Sequence, residues 1–435
     1  MMSNSKIVKQ KAMVIGISPE YIYPGKLDIW RQETTYYAAN LGASLITNAL
    51  MRQLSANYVS IDDFQHIDEL RNTYDVCILA LATHITPWRD VSIYADIVEK
   101  LDMKTIVVSA GIQDYDAALS LSYEIHPSMR RILRKASESS RWIGVRGHYT
   151  ATVLRSNGFK NVVPIGCPTM YWPLVEDWKV VKRSGFSKPL VVYHRMIALN
   201  SYEAICSLPL LGQDWQDQPM FTDTLKDDVA LVQMMEKMYS EKGEELRNKI
   251  SEMIKSNGHF FFKFKEWFDY IGQHDFVLGS RLHGTIAALV QNVPAVLIAR
   301  DLRMREIDEF FRIPSIDFET LNTCPLTEVY QQVDFTEFNA LYRSRYRNYV
   351  TFLNENGLEH NLAGAQDASE FAYTYADLSS SISVPLLAIK RDLLLIQEKS
   401  FSYQLRKFFG RLYAYIARIS RPIRKRLKQL LTMPH

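Results

Sequence analysis

Short, nearly unbroken apolar runs recur along this chain and alternate with stretches where apolar residues return every three or four positions. The runs "AMVIGIS" (12–18), "DVCILALA" (75–82), "KTIVVSAG" (104–111) and "RWIGVRG" (141–147) predict buried strands and the turns that follow them. "ASLITNALMRQL" (43–54) and "HPSMRRILRKAS" (126–137) predict helices, and "NVVPIGCPTMYW" (161–172) closes a first unit. The charged stretch "EDWKVVKRSGFSKP" (176–189) reads as a linker. A second unit then opens with "LVVYHR" (190–195) and continues through the strands "HFFFKFK", "DFVLGS" and "PAVLIAR". The alternation predicts an α/β protein with two Rossmann-like doubly wound domains, 1–180 and 181–330, and a cleft between them. Beyond Pro325 the pattern turns helical. "TEFNALYRSRYRNYVTFLNENG" ends on Gly357 as a C-cap, and 331–380 is expected to pack on the core.

Residues 381–435 form a basic amphipathic tail in this reading. Residues 401–435 hold nine Lys and Arg and no Asp or Glu, so with a net charge of +3 overall the first 400 residues carry −6. Leu405, Phe408, Phe409, Leu412, Tyr415, Ile416 and Ile419 fall at helical spacing, with Arg406, Lys407, Arg411 and Arg418 largely elsewhere on the wheel. Such a helix suits an anionic membrane interface, or docks on its own domain or a second subunit. Nucleic acid is not expected. Four cysteines lie far apart without metal-like spacing, which fits a reducing compartment. The N-terminus lacks the apolar stretch of a signal peptide, and no run of about eighteen apolar residues is present to span a bilayer. The expected location is cytoplasmic, peripheral on the inner face of the membrane.

Chemistry is expected where strands hand over to helices, because ligands of open α/β sheets sit beyond the carboxyl ends of strands. "LGSRLHGTIAAL" places Arg281 and His283 in a turn framed by Gly279 and Gly284, with Thr285 placed to cap the helix. Arg281 offers a fork for a carboxylate or phosphate, and His283 can give or take a proton. The alternative is that Arg281 caps a carbonyl and His283 packs. "WIGVRGHYTATVL" repeats the arrangement in the first unit, with Arg146 between Gly144 and Gly147 and His148 opening the helix. Arg146 alone would pair with a neighbouring carboxylate; two such arginines facing each other favour a shared anion. Asn40 and Gly42 precede the first helix, as a ligand turn or an ordinary cap. His84 follows a strand, and His194 and Arg195 follow the first strand of the second unit.

Taken together, "GVRG", "GFKNVVPIGCPT", "GSRLHGTIAAL" with "VPAVLI", the early "NLGA" and the late "REIDEFFRIPSI" resemble the polysaccharide pyruvyl transferase family across roughly residues 12–317. The resemblance implies two halves arranged as in GT-B glycosyltransferases, without a cofactor. It implies that phosphoenolpyruvate donates its enolpyruvyl carbons to two hydroxyls of one sugar, forming a pyruvate ketal and releasing phosphate. The acceptor would be an oligosaccharide or polysaccharide, free or lipid-linked. Arg281 and Arg146 would hold the donor and His283 would be the acid/base residue. Ser280, Leu282, Gly284 and Thr285, with Gly144, Gly147 and His148, would line the substrate site. Many members carry Asp after the early N-x-G, where this chain has Ala43. A nucleotide-sugar glycosyltransferase of the GT-B type and a non-catalytic scaffold for envelope polysaccharide assembly are the alternatives. The first lacks an acidic ribose clamp after "SRLHG".

Overall fold

In this computed structural model the described residues are 10–21, 40–113, 123–183, 185–222, 229–299, 301–365 and 367–371. The tail 401–435 and its predicted helix lie outside them.

The first half carries β1 (Ala12–Gly16), β2 (Asn57–Tyr58), β3 (Val76–Ala80), β4 (Lys104–Val108), β5 (Ile143–Val145) and β6 (Val162–Pro164). β1 and β3 are buried at every position, as parallel strands covered on both faces must be. The order is β2-β1-β3-β4, with β5-β6 continuing beyond β4 through the Ala110–Val145 bridge. The second half carries β7 (Pro189–Val192), β8 (Leu210–Leu211), β9 (Gly258–His259), β10 (Phe276–Gly279), β11 (Ala295–Ile298) and β12 (Ser315–Ile316). Its order is β12-β11-β10-β7-β8-β9, and every strand pair in both sheets is parallel. The chain reverses its direction of travel across the sheet between β1 and β3 in one half and between β7 and β10 in the other. Such switch points open a crevice at the carboxyl ends of the strands. The architecture is therefore two doubly wound parallel sheets with helices, as the sequence pattern predicts.

Two local expectations fail. "HFFFKFK" yields only the two-residue β9. Phe260–Lys263 then leave the sheet, and Phe264 starts the helix Phe264–Gly272. Its neighbour β8 is equally short, so there is no ladder to extend. Phe260 and Phe262 instead set their rings against Tyr21, with centroids 5.8 and 5.6 Å away. Thr285 does not cap its helix, because Arg281 is the N-cap residue; the Thr285 hydroxyl donates back to the Arg281 carbonyl at 3.0 Å.

The connecting stretch 176–189 is charged yet pinned, for Val180 N–H donates to Asn339 Oδ1 at 2.8 Å and Trp178 Nε1 to the Leu289 carbonyl at 3.3 Å. The helix Thr336–Glu355 covers the first half. Tyr349 stacks on Tyr171 with centroids 4.6 Å apart and donates to Gln53 Oε1 at 2.8 Å. Gly357 (φ +62°) turns the chain left-handed after it, letting Leu358 N–H reach the Leu353 carbonyl at 2.9 Å.

Candidate active site

The β10 turn is built by close approach. A Cβ on Gly279 would lie 1.8 Å from Thr285 Oγ1, and one on Gly284 would lie 2.3 Å from Val192 Cγ1. Ser280 closes the switch point by donating its hydroxyl to the Val192 carbonyl at 2.8 Å. Arg281 is thereby aimed away from its own helix, Leu282–Leu289, toward the loop after β8. There its Nη1 meets Asp214 Oδ2 at 2.9 Å and its Nη2 meets Asp217 Oδ2 at 3.0 Å. Burial opposes its charge, but the two carboxylates outweigh burial and hold the guanidinium ionised. Its Nε is buried without a partner among the described residues.

The first helix, Leu41–Leu54, reaches the same place from the other half. Asn40 caps it by accepting from Ala43 N–H at 3.1 Å, and its Nδ2 donates to Asp214 Oδ2 at 3.0 Å. Gln213 Nε2 donates to Asn40 Oδ1 at 3.1 Å. A Cβ on Gly42 would lie 2.2 Å from that Nε2, so the glycine is needed for the two halves to close here.

A cavity of about 900 Å³ opens beside this contact, bordered by strand ends of both halves. His84, after β3, lines it, as do Asn40 and Ala43; His194, Arg195, Asp214 and Arg281 line it from the second half. His84 is held well below the usual imidazole range by burial and then by Arg89 and Arg146. His194 caps the helix Arg195–Ile205 through Nδ1, which accepts from Met196 N–H at 3.1 Å. The wall carries Arg89, Arg195, Arg281, Arg303 and Arg305 against Asp214, Asp301 and Asp317, an excess of positive charge. Arg303 is matched by Asp301 at 3.0 Å, whereas Arg195 Nε is buried without a partner among the described residues. Such a wall suits a small anion.

Arg146 lies apart from that border. It follows β5, is 1% exposed, and packs its Cδ so tightly on the backbone that a Cβ on Gly111 would sit 2.6 Å from it. Its Nε donates to the Ser109 carbonyl at 3.4 Å; its Nη2 has no partner, and no carboxylate pairs with it among the described residues. Burial pulls its pKa down. The same pocket of protein holds His283, whose Nε2 is 3.7 Å from Cys167 Sγ. Enclosure, then Arg146 and Arg303, push that imidazole far down, so it is neutral here. Glu306 stands close by, accepting from Thr150 N–H at 2.7 Å and from its hydroxyl at 2.9 Å, with burial pushing its carboxyl up to about 7.

The structure thus gathers Asn40, His84, His194, Arg195 and Arg281 on one cavity, and sets Arg146 beside His283 behind it. Gly144 and Gly147 serve packing, since a Cβ would meet Ile165 at 2.4 Å in the first and Glu306 at 2.4 Å in the second. The ring of His148 lies 6.0 Å from Phe310, and Leu282 is buried. Sequence reasoning passed over Asp214, Asp217, Cys167, Arg303, Arg305 and Glu306. The signals were the doubled acid in "GQDWQDQ" and the arginines two apart in "DLRMREIDEFF".

The family model described as polysaccharide pyruvyl transferase matches residues 40–301, which include the turns that hold Arg146 and Arg281. The chain belongs to this family. It is therefore a transferase of polysaccharide pyruvylation. No curated protein matches the chain. Among solved structures it is similar to the Methanocaldococcus jannaschii UDP-GlcNAc 2-epimerase in complex with UDP-GlcNAc and UDP, at 11% identity and TM-score 0.41, covering 83% of this chain and 98% of that one. It is also similar to Staphylococcus aureus MnaA with UDP, at 10% identity and TM-score 0.38, covering 86% and 97%. Anabaena HepE in complex with UDP and glucose matches at 10% and 0.38, covering 80% and 95%.

Proposed function

We propose that this pyruvyl transferase moves the enolpyruvyl carbons of phosphoenolpyruvate onto two hydroxyls of one sugar in a cell-surface polysaccharide or its lipid-linked precursor. The excess of arginine over carboxylate around a cavity at the switch points of both sheets carries this reading. The donor bears about three negative charges near neutral pH, and fixed guanidiniums balance and orient them without calling for a metal. A chelator is expected to leave the rate unchanged. Protonation of the donor's C3 makes C2 cationic; one sugar oxygen bonds to C2, then the second does so as the C2–O bond to phosphate breaks. One hydroxyl proton replaces the proton given to C3, and the other leaves on hydrogen phosphate.

His283 is the residue we assign to the C3 proton. In the free protein burial, and after it Arg146 and Arg303, keep its ring neutral. A trianion in the adjoining cavity, which Arg303 borders, offsets that positive field and raises the imidazole's pKa, so the acid is charged only once the donor is bound. The basic tail 401–435 would hold the protein at an anionic leaflet near a lipid-linked acceptor, on the cytoplasmic face.

Calorimetry of the full chain with phosphoenolpyruvate and with UDP-sugars tests the reading. Phosphoenolpyruvate binding that is lost in Arg146→Ala is the expected result. Binding of the UDP-sugars alone would make the chain a glycosyltransferase, and binding of neither would leave a scaffold. No helix among the described residues is long and apolar enough to cross a membrane. Flotation with anionic liposomes that vanishes on deleting 401–435 is expected for the tail.

A further inference from the structure

Three carboxylates border the cavity, and two are already committed. Asp301 caps the helix Leu302–Phe311 through Met304 N–H at 3.1 Å and also takes the fork of Arg303 at 3.0 and 3.2 Å. Asp317 is exposed and caps the helix Phe318–Thr323 through Thr320 N–H at 2.7 Å. Asp214 is different. It is 8% exposed, and its Oδ2 is fixed by Arg281 Nη1 at 2.9 Å and Asn40 Nδ2 at 3.0 Å. Among the described residues its Oδ1 receives a single long bond, from Gln216 N–H at 3.3 Å. One oxygen is anchored and the other keeps a lone pair to offer. Ala43, in the turn that Asn40 caps, also borders the cavity and adds nothing larger than a methyl group there.

We propose that Asp214 is the base that accepts the proton of the attacking sugar hydroxyl, and that Arg281 and Asn40 are positioning residues that act through it. The inference rests on the donor chemistry proposed above. A hydroxyl adding to a cationic C2 becomes strongly acidic as its C–O bond forms, so a carboxylate is basic enough and position decides. Asp214 takes that proton while the pair of electrons on oxygen forms the bond to C2. The proton then returns through solvent to the acid that protonated C3, and the second hydroxyl's proton departs with phosphate. Arg281, its charge outweighed by the two carboxylates of Asp214 and Asp217, has none left for the donor and instead keeps the Asp214 carboxylate aimed.

The test uses the full chain with phosphoenolpyruvate, and methyl glycosides of galactose, glucose, mannose and N-acetylglucosamine, or water alone, as the nucleophile. Calorimetry reads donor binding, and phosphate release reads turnover. Asp214→Asn is expected to bind phosphoenolpyruvate within about twofold of wild type and to release phosphate about 10²- to 10⁴-fold more slowly with the best nucleophile. The acidic limb of kcat/KM for the nucleophile should disappear in Asp214→Asn and persist in Asp214→Glu, which recovers part of the rate. Asn40→Ala should lower kcat with little change in donor KM. Release by Asp214→Asn within tenfold of wild type overturns the assignment, and so does lost donor binding, which would return Arg281 to the donor. Should Asp214→Asn not fold, Asp214→Glu is expected to keep the limb at a reduced rate, and a full wild-type rate in that variant overturns it. A wild-type protein that binds the donor yet releases phosphate to no nucleophile also overturns it. One that does not bind phosphoenolpyruvate overturns the proposed function instead.

Discussion

Arg146 and Arg281 occupy the same kind of place, a glycine-framed turn between a buried strand and a helix, one in each half. Their surroundings are opposite. Arg281 is enclosed with two carboxylates that match its charge, whereas Arg146 is 1% exposed with a bare Nη2 and no carboxylate among the described residues to pair with it. A buried charge without a counterion costs several kcal/mol unless something completes it. The charge of the first arginine is therefore answered within the protein, beside a carboxylate that borders the cavity. The second holds an unfilled demand for negative charge, and it acts on both His84 and His283.

Swapping each arginine for an uncharged side chain of similar length should separate the two roles. Arg281→Met leaves Asp214 and Asp217 facing each other without a cation, and urea unfolding should show a loss of about 3–5 kcal/mol. Adding Asp217→Asn should restore part of it. Glu306→Gln probes the surroundings of Arg146. The folded carboxyl titrates at about 7 against 4.5 for the unfolded chain, so the folded form binds the extra proton and the wild type loses this stability as pH rises through that window. The variant should be the more stable by about 3 kcal/mol above pH 8, and the gap should close toward pH 4.5. His84 and His283 work the other way. Their folded values are depressed, so their contribution is lost as pH falls below 6.5, in both proteins alike. Arg146→Met should unfold at an equal or higher urea concentration than wild type while its affinity for phosphoenolpyruvate drops about 10²-fold, about 2.7 kcal/mol. Equal destabilisation by both methionine variants would erase the distinction. The smallest change is Gly42→Ala, which must push Gln213 away and should cost about 1–3 kcal/mol with turnover falling in step.

The turns that hold Arg146, Arg281, His84 and His194 were legible because a buried parallel strand writes itself as a local apolar run and its C-terminal end is where a ligand belongs. The carboxylates were not. Asp214 and Asp217 follow a strand of two residues, on a loop with no periodicity, and the arginine they hold is 67 and 64 positions away in the chain. Arg303 and Glu306 sit on a helix whose amphipathic pattern accounts for them equally well as surface. The aromatic run at 259–265 misled for the opposite reason: apolar residues promise burial, and here loop packing against Tyr21 supplies it without a sheet.

The helix Thr336–Glu355 brings Tyr349 onto Tyr171 and into a hydrogen bond with Gln53. During synthesis, Gln53 and Tyr171 leave the ribosome long before Tyr349 does. The nascent first half consequently waits with its aromatic face bare while the whole second half is translated. Its maturation is timed by the helix Thr336–Glu355, and release of the chain short of residue 349 should deliver a product that chaperones retain.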